Sequence, residues 1–383
     1  MKNKINVLTI GGAAQDIFLN YENPEIKTIE QKSYILLEEG SKIDIKRLHY
    51  YTGGGSINSA CSFKRLECNV STFCKLGNDS QGQFILNELN KENISTENIV
   101  YSDNLQTAIS FVISPPGRDR VILAHRGANI DLKKEEIPVQ KIKQVDQLYI
   151  TSLSGNSAKL LLPITELAKQ NNIPVAVNPG MNQIKSQDKL LIESLKNIDT
   201  LILNATESQQ LMLSLLSQST SRHLIPEPET VRPETVHPEC FCESKNVSKD
   251  SGKLFSSFLG YKNNNLTIKD YFKAILQKGP SIIVVTNGAE GVYIADKEFM
   301  YFHKSIPPKQ LVNTLGAGDS FGSCFVAALL HKKTIEEALF YGIINASSVI
   351  SHEGAKTGLL TWAQITEKAA QEAYKMDIEK FKI

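Results

Sequence analysis

The chain has 383 residues, enough to bury one large core or two modest ones. Hydrophobic content of 41% and charged content of 22% are ordinary for a globular protein, and a formal net charge of +1 argues against a nucleic-acid or anionic-membrane partner. No apolar run approaches a membrane span, the short one near the start ends in Gly11-Gly12 instead of a cleavage site, and the cysteines follow no regular framework, which predicts reduced thiols in a cytoplasm.

Ile5 to Ile10 is a continuous apolar run rich in β-branched residues, as expected of a strand buried on both faces. It leads into Gly11-Gly12-Ala13-Ala14-Gln15-Asp16, which places Asp16 just beyond the strand's C-terminal end. Ligands bind at that edge in open α/β sheets, although an Asp there also serves as a turn or cap residue. From Phe18 to about Tyr51 the pattern loosens into short, charged, strand-like pieces. Thr52-Gly53-Gly54-Gly55-Ser56-Ile57-Asn58 then opens a helix to Leu66, followed by the strand VSTFCKLG and Asn78-Asp79-Ser80-Gln81-Gly82. The glycines do not make a dinucleotide fingerprint, because Asn58 stands where G-x-G-x-x-G needs its last glycine. Ala108 to Ala124 alternates around Pro115-Pro116-Gly117, the chemistry of a hairpin turn, and Arg126-Gly127-Ala128-Asn129 follows.

The middle of the chain alternates DQLYIT, a helix to about Gln170, PVAVNPG, a second helix and LILN. Such interleaving predicts a parallel sheet with crossover helices. LILN ends at Asn204-Ala205-Thr206-Glu207, an N-x-x-E that can be a helix cap or a hard-oxygen site for Mg²⁺ held mainly through water and phosphates. Residues from about 217 to 265 carry PEPETVRPETVHPE and are expected to form a disordered insertion, since proline at that density prevents both helix and central strand. His237, Cys240 and Cys242 within it match no standard zinc spacing. Ser281 to Val285 reads as a buried strand ending at Thr286-Asn287-Gly288-Ala289-Glu290-Gly291. Leu311 to Leu330 passes from a loop through Gly316-Ala317-Gly318 into a helix whose Phe321, Cys324, Phe325 and Ala328 share one face. The glycines therefore stand at a helix N-terminus, where unpaired N–H groups and the helix dipole form an anion cradle. Asp319 beside it could accept a proton from a hydroxyl; tight packing and first-turn capping would use the same residues. Residues from Trp362 onward read as an amphipathic helix and a polar tail.

Taken in order, these segments resemble the ribokinase-like (phosphofructokinase-B, PfkB) carbohydrate and nucleoside kinases. Thr314-Leu315-Gly316-Ala317-Gly318-Asp319-Ser320-Phe321 is similar to the family's second signature, and Gly53 to Ala60 with the later G-x-D-x-x-G to its first. The resemblance implies one α/β domain over 1–383, a three-layer sandwich with a mostly parallel central sheet. It places a small β-sheet lid at about 18–52 and 103–125. By the same resemblance Gly316, Ala317 and Gly318 form the anion hole and Asp319 is the catalytic base. Asp16, Gly53, Gly54, Asn58 and Arg126 bind the substrate, and Asn204, Thr286, Gly288, Gly291 and Asn345 bind the nucleotide. Asn204 and Glu207 hold Mg²⁺ through water. The implied partners are ATP and a small-molecule sugar or nucleoside, and a homodimer through the lid is allowed. The family usually has Asp where this chain has Asn313, which argues against a K⁺ site. A nucleoside kinase shares every motif named, and a non-catalytic ligand sensor on the same fold would keep most of them. With no G-x-x-x-x-G-K-[ST], phosphate binding rests on the Gly316–Gly318 turn.

Overall fold

The computed structural model describes residues 4–22, 24–30, 32–115, 120–186, 188–218, 267–372 and 376–383. The expected insertion, together with His237, Cys240 and Cys242, lies outside them from residue 219 onward; residues 217 and 218 still belong to the helix Ala205–Gln218.

Strand residues of the central sheet alternate between two cores. Val7, Tyr149, Ala176, Ile202 and Val284 point into one hydrophobic cluster, while Leu8, Leu148, Val175, Leu201 and Ile283 point into the other. A strand that buries both faces must be apolar throughout, which is why these segments read as unbroken runs. Helices cover each face. Gly55–Arg65, Ala317–Leu330 and Ile335–Val349 contribute to the first cluster, and Leu161–Gln170, Ala205–Gln218 and Ile268–Leu276 to the second. Three layers result.

The sheet runs in the spatial order Glu379–Lys382, Phe299–His303, Val292–Ala295, Ile282–Thr286, Thr200–Asn204, Val175–Val177, Gln147–Ile150, Asn6–Ile10, Asn69–Phe73. Pairing is parallel from Ile282–Thr286 through to Asn69–Phe73 and antiparallel over the remaining pairs. The expected polar tail is in fact the edge strand Glu379–Lys382. Phe381 and Ile383 pack on the core, and the Lys380 ammonium lies 4.3 Å from the Phe299 ring centroid and 3.0 Å from Glu336.

A separate four-stranded sheet has the order Val121–His125, Ala108–Ile113, Ala14–Leu19, Leu48–Gly53. The turn expected after the first strand is shorter than read. Ala14 already pairs with Gly53 and Ala108, so Asp16 sits within a strand of this small sheet and not in a loop. Its register neighbours are Tyr51 and Ser110. The next row, Tyr50, Ile17, Phe111 and Leu123, faces the opposite way, and Tyr50, Phe111 and Leu123 are exposed.

The loop after Ile335–Val349 joins this small sheet to the Gly316 turn. On one side Glu353 meets His49 (2.7 Å) and Gly354 lies under the Tyr51 ring. On the other, His352 accepts from Asn313 (2.7 Å) and Ala355 packs on Gly316.

Candidate active site

Gly316 caps the helix Ala317–Leu330 in the left-handed region (φ 77°), and a Cβ there would lie 2.6 Å from that of Ala355. Only glycine combines that backbone with that approach. No side chain caps this helix, whereas Thr267, Thr334 and Thr361 each cap theirs. The Ala317 N–H reaches Thr314 O at a long 3.5 Å, and no side chain accepts from the N–H groups that follow, which are left for another acceptor. A side chain on Gly318 would meet open space, so the backbone there is approachable from the cleft.

One turn further, Gly322 lets the helix lie against the sheet: a Cβ would fall 2.4 Å from the Tyr149 hydroxyl. Asp319 is thereby held over the strand ends, where its Oδ2 accepts from Asn58 Nδ2 at 2.9 Å. Burial pushes its carboxyl up to about 6, and the Asn58 bond opposes that shift. Asn58 is buried, and its own Oδ1 has no protein partner. Asp16, 6% exposed, is also raised to about 6, by burial and by the charge of Asp319, against the Ser110 bond and the positive charge of Lys356. A Cβ on Gly53 would come within 1.9 Å of Asp16 Oδ2, so the glycine makes room for that carboxylate. Gly54, at φ 88°, crosses so near Gly12 that a Cβ would stand 2.4 Å from its carbonyl oxygen.

Asp319 and Glu207 line one cavity of about 260 Å³ with Gly55, Thr151, Ser152, Asn178, Pro179 and Gly180. Burial and the nearby Asp319 raise Glu207 to about 7, against its bonds with Asn204. The N-x-x-E is a reciprocal helix cap: Asn204 N donates to Glu207 Oε2 and Glu207 N to Asn204 Oδ1, both at 2.9 Å. Thr286 is the register neighbour of Asn204, with Gly288 and Gly291 in the turn that follows.

Two sequence-assigned residues are placed differently. Asn345 is fully buried; its Nδ2 donates to Ser320 O (3.0 Å) and its Oδ1 accepts from Leu360 N (3.1 Å). Its amide thus ties the Asp319 helix, through Ser320, to the segment at Leu360. Arg126 is exposed at the start of the turn Gly127–Ile130, and it is Asn129 that clamps the Asp16 segment, bonding Ala13 N and Ala13 O at 3.0 Å each. Thr151, Ser152 and Asn178 escaped the sequence reading, although each stands just past a strand end.

A sheet-edge cleft containing an uncapped Gly-rich helix start and an adjacent buried carboxylate calls for comparison with known proteins. The profile described as pfkB family carbohydrate kinase matches residues 25–236 and 255–362. The chain belongs to the PfkB family of carbohydrate kinases. This PfkB kinase is 25% identical over 320 residues to the ribokinase of Haemophilus influenzae, covering 82% of this chain and 86% of that one. It is 23% identical over 371 residues to the 5-dehydro-2-deoxygluconokinase of Listeria innocua, covering 95% of each. Among solved structures, Arabidopsis thaliana ribokinase, complexed with ribose and ATP, superposes with a TM-score of 0.69 at 18% identity, over 95% of this chain and 98% of that one. The nucleoside kinase of Methanocaldococcus jannaschii gives 0.67 at 19% identity, over 96% and 98%. At such identities the structural likeness speaks for the fold alone. No helix among the described residues is long and apolar enough to cross a membrane.

A pH profile follows from the two raised carboxyls. If Asp319 is the general base and Asp16 a hydroxyl acceptor, the reaction draws on both as carboxylates. For this PfkB kinase, kcat/KM for the acceptor is therefore expected to fall as pH drops through about 6. A limb near the ordinary carboxylate range, around pH 4, would mean that neither carboxyl is raised in the working enzyme.

Proposed function

We propose that this kinase transfers the γ-phosphoryl group of ATP to a hydroxyl of a sugar, with Asp319 as general base. The observation that carries the reading is Asp319 at an uncapped helix N-terminus, bonded to Asn58 on the helix that begins at the Gly53-Gly54 turn. In this reading the sugar lies between Asp16 and Asp319. Asp16 accepts from its hydroxyls, and the unpartnered Asn58 Oδ1 accepts another. Asp319 takes the proton of the attacking hydroxyl, and the N–H groups of residues 316–318 stabilise charge on the moving phosphoryl group.

The donor set, one carboxylate and one amide oxygen beside a strand end, suits magnesium held mainly by phosphates and water. Glu207 and Asn204 are the residues that would hold it, and when bound it would neutralise triphosphate charge. A phosphorylation screen over sugars, sugar acids and nucleosides tests the function. Turnover of a nucleoside but no sugar, or of neither, overturns the reading.

A monovalent cation fits less well. Asn313 is buried, donates through Nδ2 to His352 O (2.7 Å) and accepts through Oδ1 from Leu315 N (2.8 Å). The amide consumes a carbonyl and brings no negative charge, so it joins the two loops directly. Potassium is expected to stimulate the wild type little and Asn313→Asp more, in a K⁺ titration at fixed ionic strength. Strong activation of the wild type that Asn313→Asp fails to increase would contradict this.

A further inference from the structure

The loop from His352 to Leu359 backs the Gly316 turn. Ala355 lies so near that a Cβ on Gly316 would stand 2.6 Å from its methyl and 2.7 Å from its carbonyl oxygen. The loop is irregular, and among the described residues its backbone supplies one bond of its own between Glu353 and Leu359, from Leu359 N to Lys356 O at 3.1 Å. The Arg65 guanidinium grips that turn from outside. Nη1 donates to Lys356 O (3.3 Å) and to Leu359 O (2.9 Å), and Nη2 to Glu92 Oε1 (3.0 Å). A planar fork of donors suits this task, since it serves two carbonyls and a carboxylate at once through charge-assisted bonds.

Arg65 ends the helix Gly55–Arg65. The helix that presents Asn58 to Asp319 therefore holds the loop about 10 Å further along its axis. That end is itself tied to the catalytic helix: His331, the C-cap of Ala317–Leu330, meets Leu66 O through Nε2 at 2.8 Å. The loop is thus fixed relative to both helices that form the site.

We propose that Arg65 is a positioning residue for phosphoryl transfer: by holding the Lys356 and Leu359 carbonyls it keeps Ala355 against Gly316, and so keeps the N–H groups of residues 316–318 aimed at the moving phosphoryl group. Arg65 lines no part of the cavity around Asp319 and acts through the loop. The inference rests on the kinase reading above, which gives those N–H groups their task.

Arg65→Ala tests it. Alanine is the best helix former, so the helix itself should persist without the fork. The kcat for the sugar should fall by about tenfold or more, the cost of slightly misplacing charge-stabilising groups, while both KM values change less. Amide hydrogen exchange at residues 314–318 and 353–359 should quicken together. Arg65→Lys keeps the charge but not the fork; it should show smaller changes of the same kind, and it carries the test if Arg65→Ala does not fold. A variant that melts earlier yet keeps the wild-type kcat per folded molecule marks a merely structural arginine and overturns the proposal. A fall in kcat with unmoved exchange at 314–318 overturns it too. Unchanged kcat and exchange leave the kinase reading standing without the inference. Faster exchange around Gly316 in a protein that phosphorylates no sugar removes the kinase reading, and with it the catalytic role of Arg65.

Discussion

Asp319→Asn is expected to fold, to bind ATP and to lose about 10²- to 10⁴-fold of its turnover, the usual range for a general base. Asparagine has the shape of aspartate and can still meet Asn58 through its amide oxygen, so the 2.9 Å contact has a replacement. It cannot take a proton, and the loss should appear in kcat because the missing interaction belongs to the transition state. Stability should move the other way. The folded protein holds this carboxyl near 6 against 3.8 for an ordinary aspartate, because burial disfavours the charge. A raised carboxyl means that the native state binds the extra proton, so folding loses stability as pH climbs through that window. Removing the charge should therefore raise the melting temperature at pH 8 and leave it unchanged near pH 3. A variant that melts earlier at pH 8 while keeping kcat within about tenfold of wild type would make Asp319 a structural residue.

Gly53→Ala should abolish acceptor binding about as thoroughly as Asp16→Ala, with kcat/KM for the sugar falling roughly 10²-fold in each. The new methyl would arrive 1.9 Å from Asp16 Oδ2, far inside contact distance, and the carboxylate at the tip of its side chain has to swing away. The backbone of Gly53 has no left-handed torsion, so strain in the strand is not the cause. The two lesions act through one group and should not add. In a double-mutant cycle, the combined variant is expected to lose no more than the worse single one, with the ATP KM preserved in all three. Full additivity would show that Gly53 acts on something other than Asp16.

How much of this was legible depends on the kind of signal. The parallel sheet could be read because strands covered on both faces are apolar throughout, and Ile5–Ile10, LYI, VAV, LIL and IIVV all have that character. The Gly316 turn could be read because its glycines precede a helical apolar face. The placement of Asp16 could not, since the small sheet assembles from strands that are up to about a hundred residues apart and pair at a register no local pattern encodes. The internal partners of Asn345 were out of reach for a related reason: a buried amide and a ligand-binding amide are the same residue type, and its bonds to Ser320 and Leu360 join segments far apart in the sequence. Thr151, Ser152 and Asn178 are ordinary residues whose importance lies in where adjacent strands end.

The loop that carries His352, Glu353, Gly354, Ala355 and Lys356 touches the small sheet with some of its residues and the Gly316 turn with others. Thermodynamic linkage then constrains what experiments on it can report. Whatever factor a bound acceptor applies to the dissociation constant of the nucleotide, the nucleotide must apply the same factor to that of the acceptor. A substitution in this loop that loosens one side from the other should shrink both factors by an equal amount, even when each binary affinity is unaltered. Titrating either ligand alone would miss that change; only the ternary complex contains it.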